Sequence, residues 1–468
     1  MLFNSFHFFI FFFCFYILWI NLKNRLMTRW ILITVASFFF YGWWSIQFLW
    51  LLILTGVFDF SLALVIFRSS SKLRRHLLLG FSLVFNLGVL ISFKYSQFLL
   101  DSWASIYASI TNSPLVSVRA PSFLAILPIG ISFYTFESLS YVIDVYSKRL
   151  EPTKNIFHYF SFLAMFPRLI AGPIERPHNL LPQLTEQIEL KDDVTFEGLQ
   201  LIVLGFFKKT VIADNLALLV NTAFSNINAY SGAYWWYVMV CFALQIYCDF
   251  SGYTDIARGL AKLMGFNFGL NFKEPYASTS FREFWNRWHI SLSTWFRDYV
   301  YFPLGGDRKG AVRSHVNLWT TMIVSGFWHG ASWNFGIWGA LHAFYMSFER
   351  LTQWPKLLEK SIAGRVVATF IVFVLTIIAW IFFRAPTFAQ AAQVLEKMFS
   401  LQSGINGKHY DLLIWITVAM HFVSRYGLPE RSRALLNHPW AHYIWLTVLG
   451  LAALALRGPS EQFIYFQF

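Results

Sequence analysis

The stretch that organises this chain runs from Phe281 to His342 and reads FREFWNRWHISLSTWFRDYVYFPLGGDRKGAVRSHVNLWTTMIVSGFWHGASWNFGIWGALH. Two of its histidines, His289 and His329, each follow a tryptophan directly. The first part of the stretch is basic and amphipathic, whereas residues 316–346 contain no Lys, Arg, Asp or Glu. Because about 20 predominantly apolar residues suffice to span a bilayer, the uncharged part predicts a helical membrane segment.

The composition of the whole chain supports the same interpretation. Of its 468 residues, 57% are hydrophobic and 13% are charged, whereas about 25% are charged in a typical soluble domain. A large soluble helical protein would need a polar surface that these residues cannot supply. We therefore expect an all-α polytopic membrane protein. Since the apolar composition is even and no repeat is visible, we expect a single membrane domain over residues 1–468.

Apolar runs of suitable length recur along the chain. We expect about eleven transmembrane helices together with re-entrant and interfacial helices. The candidate spans are residues 2–22, 30–45, 47–68, 77–97, 122–145, 199–221, 232–250, 316–346, 364–384, 411–424 and 440–457. Residues 156–171 include Pro167 and Arg168 and are more typical of a re-entrant piece, and residues 252–314 are too polar for a simple span.

The charges of the loops predict the orientation. Counting helices places the basic loops at 23–29, 72–75 and 148–154 on one side of the membrane. The loop at 101–121 lies on the other side and contains a single basic residue, Arg119. By the positive-inside rule the basic side is cytoplasmic, so the N-terminus is expected outside. The same bias explains the net charge of +13 without nucleic acid as a partner. No basic residue precedes the first apolar run, which is therefore expected to be a retained helix.

His329 is the first candidate for chemistry. An ionisable side chain is costly inside a membrane and usually has a functional reason to be there. Burial favours the neutral imidazole, which can accept a proton from an attacking hydroxyl as a general base. The nearby glycines, including Gly326, Gly330 and Gly339, would permit close helix packing or a break. A histidine that joins helices by hydrogen bonds is the structural alternative.

Residues 281–299 have the spacing of a helix that lies against the membrane. An aromatic stripe contains Phe281, Trp285, Trp288, Leu292, Trp295 and Tyr299, and a polar stripe contains Arg282, Asn286, His289, Ser293 and Arg297. This pattern predicts that His289 faces cytoplasmic water or a polar cavity. Spacing alone favours a solvated or hydrogen-bonded interfacial histidine over a catalytic one.

The run from Asp249 to Arg258 ends an apolar helix. A buried carboxylate at Asp249 must face protein, water or a partner, and both a structural and a functional role stay open. Gly252 is expected to break the helix and to let another backbone approach closely. For Asp255 we favour a surface pair with Arg258, three residues further on.

Basic residues and cysteines define what could be bound. Arg282, Arg287 and Arg297 would suit the phosphates of a cytoplasmic coenzyme, as would Arg308, Lys309 and Arg313, although the positive-inside bias explains them equally well. The three cysteines, Cys14, Cys241 and Cys248, have no zinc-site spacing, and we expect them to pack in the core. We expect no metal. No Gly-x-Ser-x-Gly, His-Glu-x-x-His or phosphate-loop motif occurs.

Six motifs together resemble the membrane-bound O-acyltransferase (MBOAT) family, in its alginate O-acetyltransferase branch, and occur in that family's order. The resemblance runs over most of residues 1–385. The motifs are PIGISFYTF at Pro128–Phe136, FPRLIAGPI at Phe166–Ile174, DFSGYTD at Asp249–Asp255, EFWNRWHISLS at Glu283–Ser293, YFPLGG at Tyr301–Gly306 and WHGASW at Trp328–Trp333.

The resemblance implies a ring of helices around a thinned centre, with His329 as the catalytic histidine and His289 as the second family histidine. We expect Asp249, Trp328, Asn334 and Asn286 to support them. It implies transfer of acetyl from cytoplasmic acetyl-CoA across a bacterial inner membrane to an extracytoplasmic, serine-containing esterase-like (SGNH-type) protein. That protein would then acetylate an exported polysaccharide, such as alginate, cellulose or peptidoglycan, alongside a polysaccharide synthesis and export complex.

Two other classes of protein remain open at this point. A transporter or proton channel would also hold histidine and aspartate inside the membrane, but the inverted repeats typical of transporters are not visible. A structural subunit of a polysaccharide export complex would need no buried base. Substitution of His329 distinguishes an enzyme from such a structural subunit, because only the enzyme needs a buried base.

Overall fold

The computed structural model describes residues 1, 3–112, 119–124, 126–400, 402–426 and 439–464. Every regular element within these ranges is helical, so the predicted all-α class is confirmed. The chain forms two compact units, one of residues 1–199 with 257–269 and one of residues 200–256 with 270–468.

The first unit contains eight complete helices. They are α1 (Phe6–Leu22), α2 (Leu26–Gly42), α3 (Ile46–Arg68), α4 (Lys72–Lys94), α5 (Ser96–Thr111), α6 (Ile131–Tyr146), α7 (Ile156–Leu163) and α8 (Pro177–Gln183). Two helices, α9 (Asp192–Phe206) and α11 (Gly232–Leu263), have residues in both units. The expected span 122–145 begins with a short 3-10 helix, Ser122–Leu124, and becomes an α-helix only at Ile131, and the first half of the loop expected at 101–121 belongs to helix α5.

The second unit contains the remaining helices. They are α10 (Asp214–Ser225), α12 (Phe281–Arg287), α13 (Ile290–Phe296), α14 (Ala311–His329), α15 (Trp333–Thr352), α16 (Trp354–Leu358), α17 (Ile362–Arg384), α18 (Phe388–Phe399), α19 (Asp411–Tyr426) and α20 (Pro439–Ala455). Among the described helices, α3, α4 and α17 are long and apolar enough to cross a membrane, and α1, α2 and most of α20 are shorter apolar helices. The number of eleven spans stays a prediction.

Buried polar bonds hold the first unit together. The Asp59 carboxylate, on α3, accepts hydrogen bonds from Ser82 (2.6 Å) and Asn86 (2.8 Å) on α4. The hydroxyl of Ser138 on α6 donates to the same carboxylate. A buried carboxylate is tolerated when its acceptor sites are filled, so Asp59 joins α3, α4 and α6.

The turn after α7 is irregular and buried. Residues 164–172 continue from the eight-residue helix as turns, and the Arg168 guanidinium inside them forms an ion pair with Glu137 of α6. Irregular backbone is compatible with a membrane protein where protein covers it.

Gly252 does not end a helix, and that prediction is wrong. Helix α11 continues through it to Leu263. The predicted close approach is present instead, because a Cβ on Gly252 would lie 2.7 Å from the carbonyl oxygen of Gly205. Small residues at a helix crossing let two backbones pack directly.

Cysteine packing was predicted correctly at two of three positions. Cys241 and Cys248 are buried, whereas Cys14 lies on the exposed face of α1. An apolar run on a membrane helix does not tell which of its faces packs on protein.

Candidate active site

The uncharged stretch 316–346 forms a helical hairpin, α14 and α15, rather than the single span that was expected. Glycines make the two helices pack tightly. A Cβ on Gly326 would collide with the carbonyl oxygen of Phe335, and one on Gly339 would collide with that of Met322. His329 is the last residue of α14 and lies at the bend of this hairpin.

Aromatic rings surround the His329 imidazole. It contacts Trp338 and Phe383 edge to face, at ring-centroid distances of 5.1 and 5.2 Å. The indole of Trp328 lies 5.0 Å away. The residue is only 3% exposed. Such a pocket leaves little room for water around the ring.

His289 does not lie on a polar stripe, and that prediction is wrong. The expected continuous helix is broken into α12 and α13, and His289 connects them with a left-handed backbone, φ 42° and ψ 53°. The imidazole is fully buried, 4.6 Å edge to face from Phe250. A non-glycine residue in this conformation is strained, and such strain is found where the surrounding structure fixes a side chain for a function.

The segment around Asn271 holds the bend at His289. The Asn271 carbonyl accepts a hydrogen bond from the Ile290 N–H (2.9 Å), and its side-chain oxygen accepts from the Ser291 hydroxyl (2.9 Å). The Ser293 N–H donates to the His289 carbonyl (2.9 Å) and begins the next helix. These bonds satisfy backbone groups that the break in the helix would leave unpaired.

The structure brings the two histidines together. Their ring centroids are 6.4 Å apart, and Trp328 contacts both rings, at 5.9 Å from His289 and 5.0 Å from His329. Residues 40 positions apart therefore share one buried aromatic pocket. The separation is short enough for both imidazoles to face one small reacting group.

Two of the expected supporting residues have clear roles in packing. Trp328 is buried between the histidines, as described above. Asn334 is buried near the start of α15, and its side-chain amide donates to the Ala385 carbonyl just beyond α17 (2.8 Å). This bond ties the hairpin to the helix that carries Phe383.

Asp249 is part of a buried charge cluster. Its Oδ1 lies 2.7 Å from Lys209 Nζ, and its Oδ2 accepts the N–H of Ile464 at 2.7 Å. Asp255 pairs with Lys208 at 2.7 Å, a partner that was not predicted, and its pairing with Arg258 stays a prediction. Spacing along one helix did not reveal these lysines, which come from the π-helical turn at 207–213.

A cavity of about 940 Å³ is lined by residues of α12 to α16 and of the segments between them, a size in the range of ligand pockets, about 300–1,000 Å³. Its wall includes Arg282 and Arg297 of the predicted donor site, and Asn286, which was expected to support the histidines. It also includes Ser325, one helical turn before His329, and Ile290, next to His289. The wall carries both basic side chains and acidic ones, the latter being Asp307, Glu349 and Glu359.

Arg287 lies outside this cavity wall. Its guanidinium pairs with Glu283 at 2.9 Å and with Glu274 at 3.5 Å, and it donates to the Lys273 carbonyl at 3.0 Å. Acidic side chains and a carbonyl therefore already engage Arg287, which joins α12 to the preceding loop.

Two further cations in the cavity wall were not predicted, Arg350 and Lys356. Arg350 Nη1 donates to the Ser314 hydroxyl at 2.9 Å and lies 3.4 Å from Asp307. Hydrogen bonds from Ser314 and Tyr301 lower the pKa of Asp307, which therefore remains an anion beside Arg350. The available signal was the position of Arg350 at the end of an apolar helix, where basic residues collect.

Comparison with known proteins agrees with the motifs. The family model described as MBOAT, membrane-bound O-acyltransferase family, matches residues 38–383, the range that contains the hairpin and both histidines. The chain belongs to the membrane-bound O-acyltransferases. It is therefore an O-acyltransferase, and the predicted family is confirmed.

The names of the relatives of this membrane-bound O-acyltransferase refer to different polymers. It is 42% identical over 376 residues to the "Probable alginate O-acetylase AlgI" of Pseudomonas aeruginosa, covering 79% of this chain and 69% of that protein. It is 32% identical over 419 residues to the peptidoglycan O-acetyltransferase of Helicobacter pylori, covering 84% and 77%. The teichoic acid D-alanyltransferase of Bacillus subtilis matches over 240 residues at 29% identity, covering 49% and 60%.

Proposed function

We propose that this membrane-bound O-acyltransferase takes an acetyl group from cytoplasmic acetyl-CoA and passes it through the membrane to an extracytoplasmic acceptor protein. The observation that carries the proposal is the buried pair His289 and His329, together with a cavity whose wall includes Arg282, Arg297 and the chain neighbour Ile290. Acetyl-CoA is charged and cannot cross a bilayer. In this proposal only the small acetyl group crosses, and the two buried imidazoles mark the place of transfer.

In this proposal His329 is the general base. It takes the proton from the acceptor hydroxyl while the hydroxyl oxygen attacks the thioester carbonyl. A C–O bond forms, the C–S bond breaks, and the proton passes from His329 to the departing thiolate. His289 faces the same reacting group from the second side, and Trp328 and Asn334 hold the pocket in place.

The donor-binding part of the proposal rests on the cavity wall. Arg282 and Arg297 line it and would bind the donor phosphates, with Asn286 and Arg350 beside them. Arg287 does not line the cavity and is bound by Glu283 and Glu274, so we assign it to structure. No metal takes part in this scheme.

The acetyl group is the acyl group that the relatives favour. The two O-acetylases match 79% and 84% of this chain, whereas the D-alanyltransferase matches 49%. An exported polysaccharide of the alginate, peptidoglycan or cellulose type is the proposed final acceptor. A polymer chain would not fit a pocket closed by tryptophans, so a serine-containing esterase-like (SGNH-type) protein would present the first hydroxyl and relay the acetyl group.

We also propose that residues 1–468 work as one membrane domain in a bacterial inner membrane, with the N-terminus outside and the donor cavity on the cytoplasmic side. The support is the charge of the loops, because Arg282, Arg297 and Arg308 belong to the basic segment between α11 and α14. A polysaccharide synthesis and export complex would then be the partner on the outer side.

The relay can be tested with purified components. The chain is reconstituted in liposomes with acetyl-CoA on the side of the donor cavity, and polymer with or without the esterase-like protein on the other. We expect polymer acetylation only when both proteins are present, and none with a variant esterase that lacks its serine. Full polymer acetylation by this chain alone would contradict the relay.

A further inference from the structure

The segment after α20, residues 456–464, is seated on the π-helical turn 207–213. The Gly458 N–H donates to the Thr210 carbonyl at 2.8 Å, and Asn215 Nδ2 donates to the Leu456 carbonyl at 3.0 Å. A Cβ on Gly458 would lie 2.7 Å from the Asn215 backbone nitrogen, so this approach requires glycine.

A buried charge cluster receives the far end of the segment. Lys209 Nζ lies 2.7 Å from both Asp214 Oδ1 and Asp249 Oδ1, and it donates to the Glu461 carbonyl at 3.1 Å. The N–H of Ile464 reaches Asp249 Oδ2 at 2.7 Å and supplies a donor there. Without the segment this buried acceptor would lose a hydrogen bond.

Phe463 extends these contacts towards the histidine pair. Its side chain is 3% exposed and packs between Phe250 and Tyr253, with ring centroids 5.6 and 4.9 Å away. Phe250 follows Asp249 in α11 and packs its ring edge to face on His289 at 4.6 Å. The hydrogen bond to Asp249 and the ring of Phe463 therefore act on the same turn of α11.

We propose that residues 456–464 are a positioning element of the acyl-transfer site, acting on His289 through Phe250. His289 has a strained left-handed backbone, which persists only where packing fixes it. Phe250 supplies one wall of that packing, and Phe463 and Asp249 fix Phe250. The inference rests on the proposed function of the histidine pair, but it assigns Phe463 and Asp249 no contact with the substrate.

The first test measures transfer kinetics. Phe463→Ala should lower kcat for acetyl transfer about tenfold through a misplaced His289, with the donor KM unchanged. Because a buried ring is removed, we expect a drop in the thermal midpoint as well, in this variant and in its control. Phe463→Leu keeps most of the apolar volume and should give a smaller loss. The matched control is Phe224→Ala, which truncates another buried ring, packed on Trp235 at 5.2 Å. Equal kcat losses in Phe463→Ala and Phe224→Ala would overturn the proposal.

The second test does not depend on activity. The full chain is labelled with ¹⁵N-histidine in nanodiscs, and the His289 ring signals are assigned with His289→Gln. Phe463→Ala should shift these signals, and Phe224→Ala should not. Unchanged His289 signals in both Phe463 variants would overturn the positioning role. If Phe463→Ala shifts the His289 signals but acetyl transfer proves independent of His329, the positioning role would be supported and the proposed function would be contradicted.

Discussion

His289 and His329 enter one aromatic pocket by different backbone routes. His329 ends a helix, where the bend of the hairpin turns its ring inward, and His289 uses a left-handed residue between two short helices. Each ring is held by aromatic neighbours, Phe250 for His289 and Trp338 for His329. Fixed rings in a dry pocket lose little freedom when the substrate arrives, which favours proton transfer.

At the residue scale, Arg282 and Arg287 provide a matched pair for the donor site. Arg282→Ala should raise the KM for acetyl-CoA about tenfold or more, because a charged hydrogen bond to phosphate is lost. Arg287→Ala should lower thermal stability and leave the donor KM unchanged, since it removes the partner of Glu283 and Glu274. Steady-state kinetics and thermal unfolding in detergent distinguish the two. If Arg287→Ala raised the KM for acetyl-CoA and Arg282→Ala did not, Arg287 rather than Arg282 would belong to the donor site.

The burial of His329 was predicted correctly, because this ionisable residue lies in a long run of the sequence that has no Lys, Arg, Asp or Glu. It misplaced His289, because a three- and four-residue spacing presumes an unbroken helix. One left-handed residue changes which face the following side chains occupy, and no glycine or proline marks that position. Burial among Phe250, Phe272 and Trp328 depends on contacts between distant segments, which spacing cannot reveal.

At the scale of elements, the close packing of α14 and α15 sets the position of His329. The hairpin was not predicted, because neither charge nor proline interrupts residues 316–346 and the bend needs only the turn at 330–332. The role of the glycines in packing was predicted, since small residues in an apolar helix are typical of close crossings.

Gly326→Ala tests that crossing. The added methyl group would collide with the Phe335 backbone, and we expect a loss of about 1–3 kcal/mol in unfolding free energy. Gly80→Ala is the control, because no atom lies within 4 Å of its Cβ position in α4, and alanine there favours the helix by about 1 kcal/mol. Thermal unfolding in detergent should show the loss only for Gly326→Ala. Equal stability of both variants would mean that the hairpin is not tightly packed.

At the scale of the whole molecule, the orientation in the membrane decides which side supplies the donor. Ser71 precedes α4 beside the basic residues, and Thr111 ends α5. In a background without the native cysteines, Ser71→Cys should react with an impermeant thiol reagent only from the cytoplasmic side. Thr111→Cys should react only from outside. Labelling of both from outside would overturn the orientation and move the donor cavity to the wrong side.

The central claim, that His329 is the catalytic base, is tested most directly by His329→Gln. Glutamine has similar size and hydrogen-bonding capacity but cannot take up the proton. The control is His421→Gln, another buried histidine, whose Nδ1 lies 3.0 Å from the Thr417 carbonyl. Membrane abundance, thermal midpoint and acetyl-transfer rate are measured on the same preparations.

We predict that His329→Gln folds normally and loses transfer by about a hundredfold or more, while His421→Gln keeps most of its activity. A histidine that only joins helices would let glutamine preserve the rate. A well-folded His329→Gln protein with near-normal transfer would contradict the account, and the base would then have to be sought at His289 or Asp249.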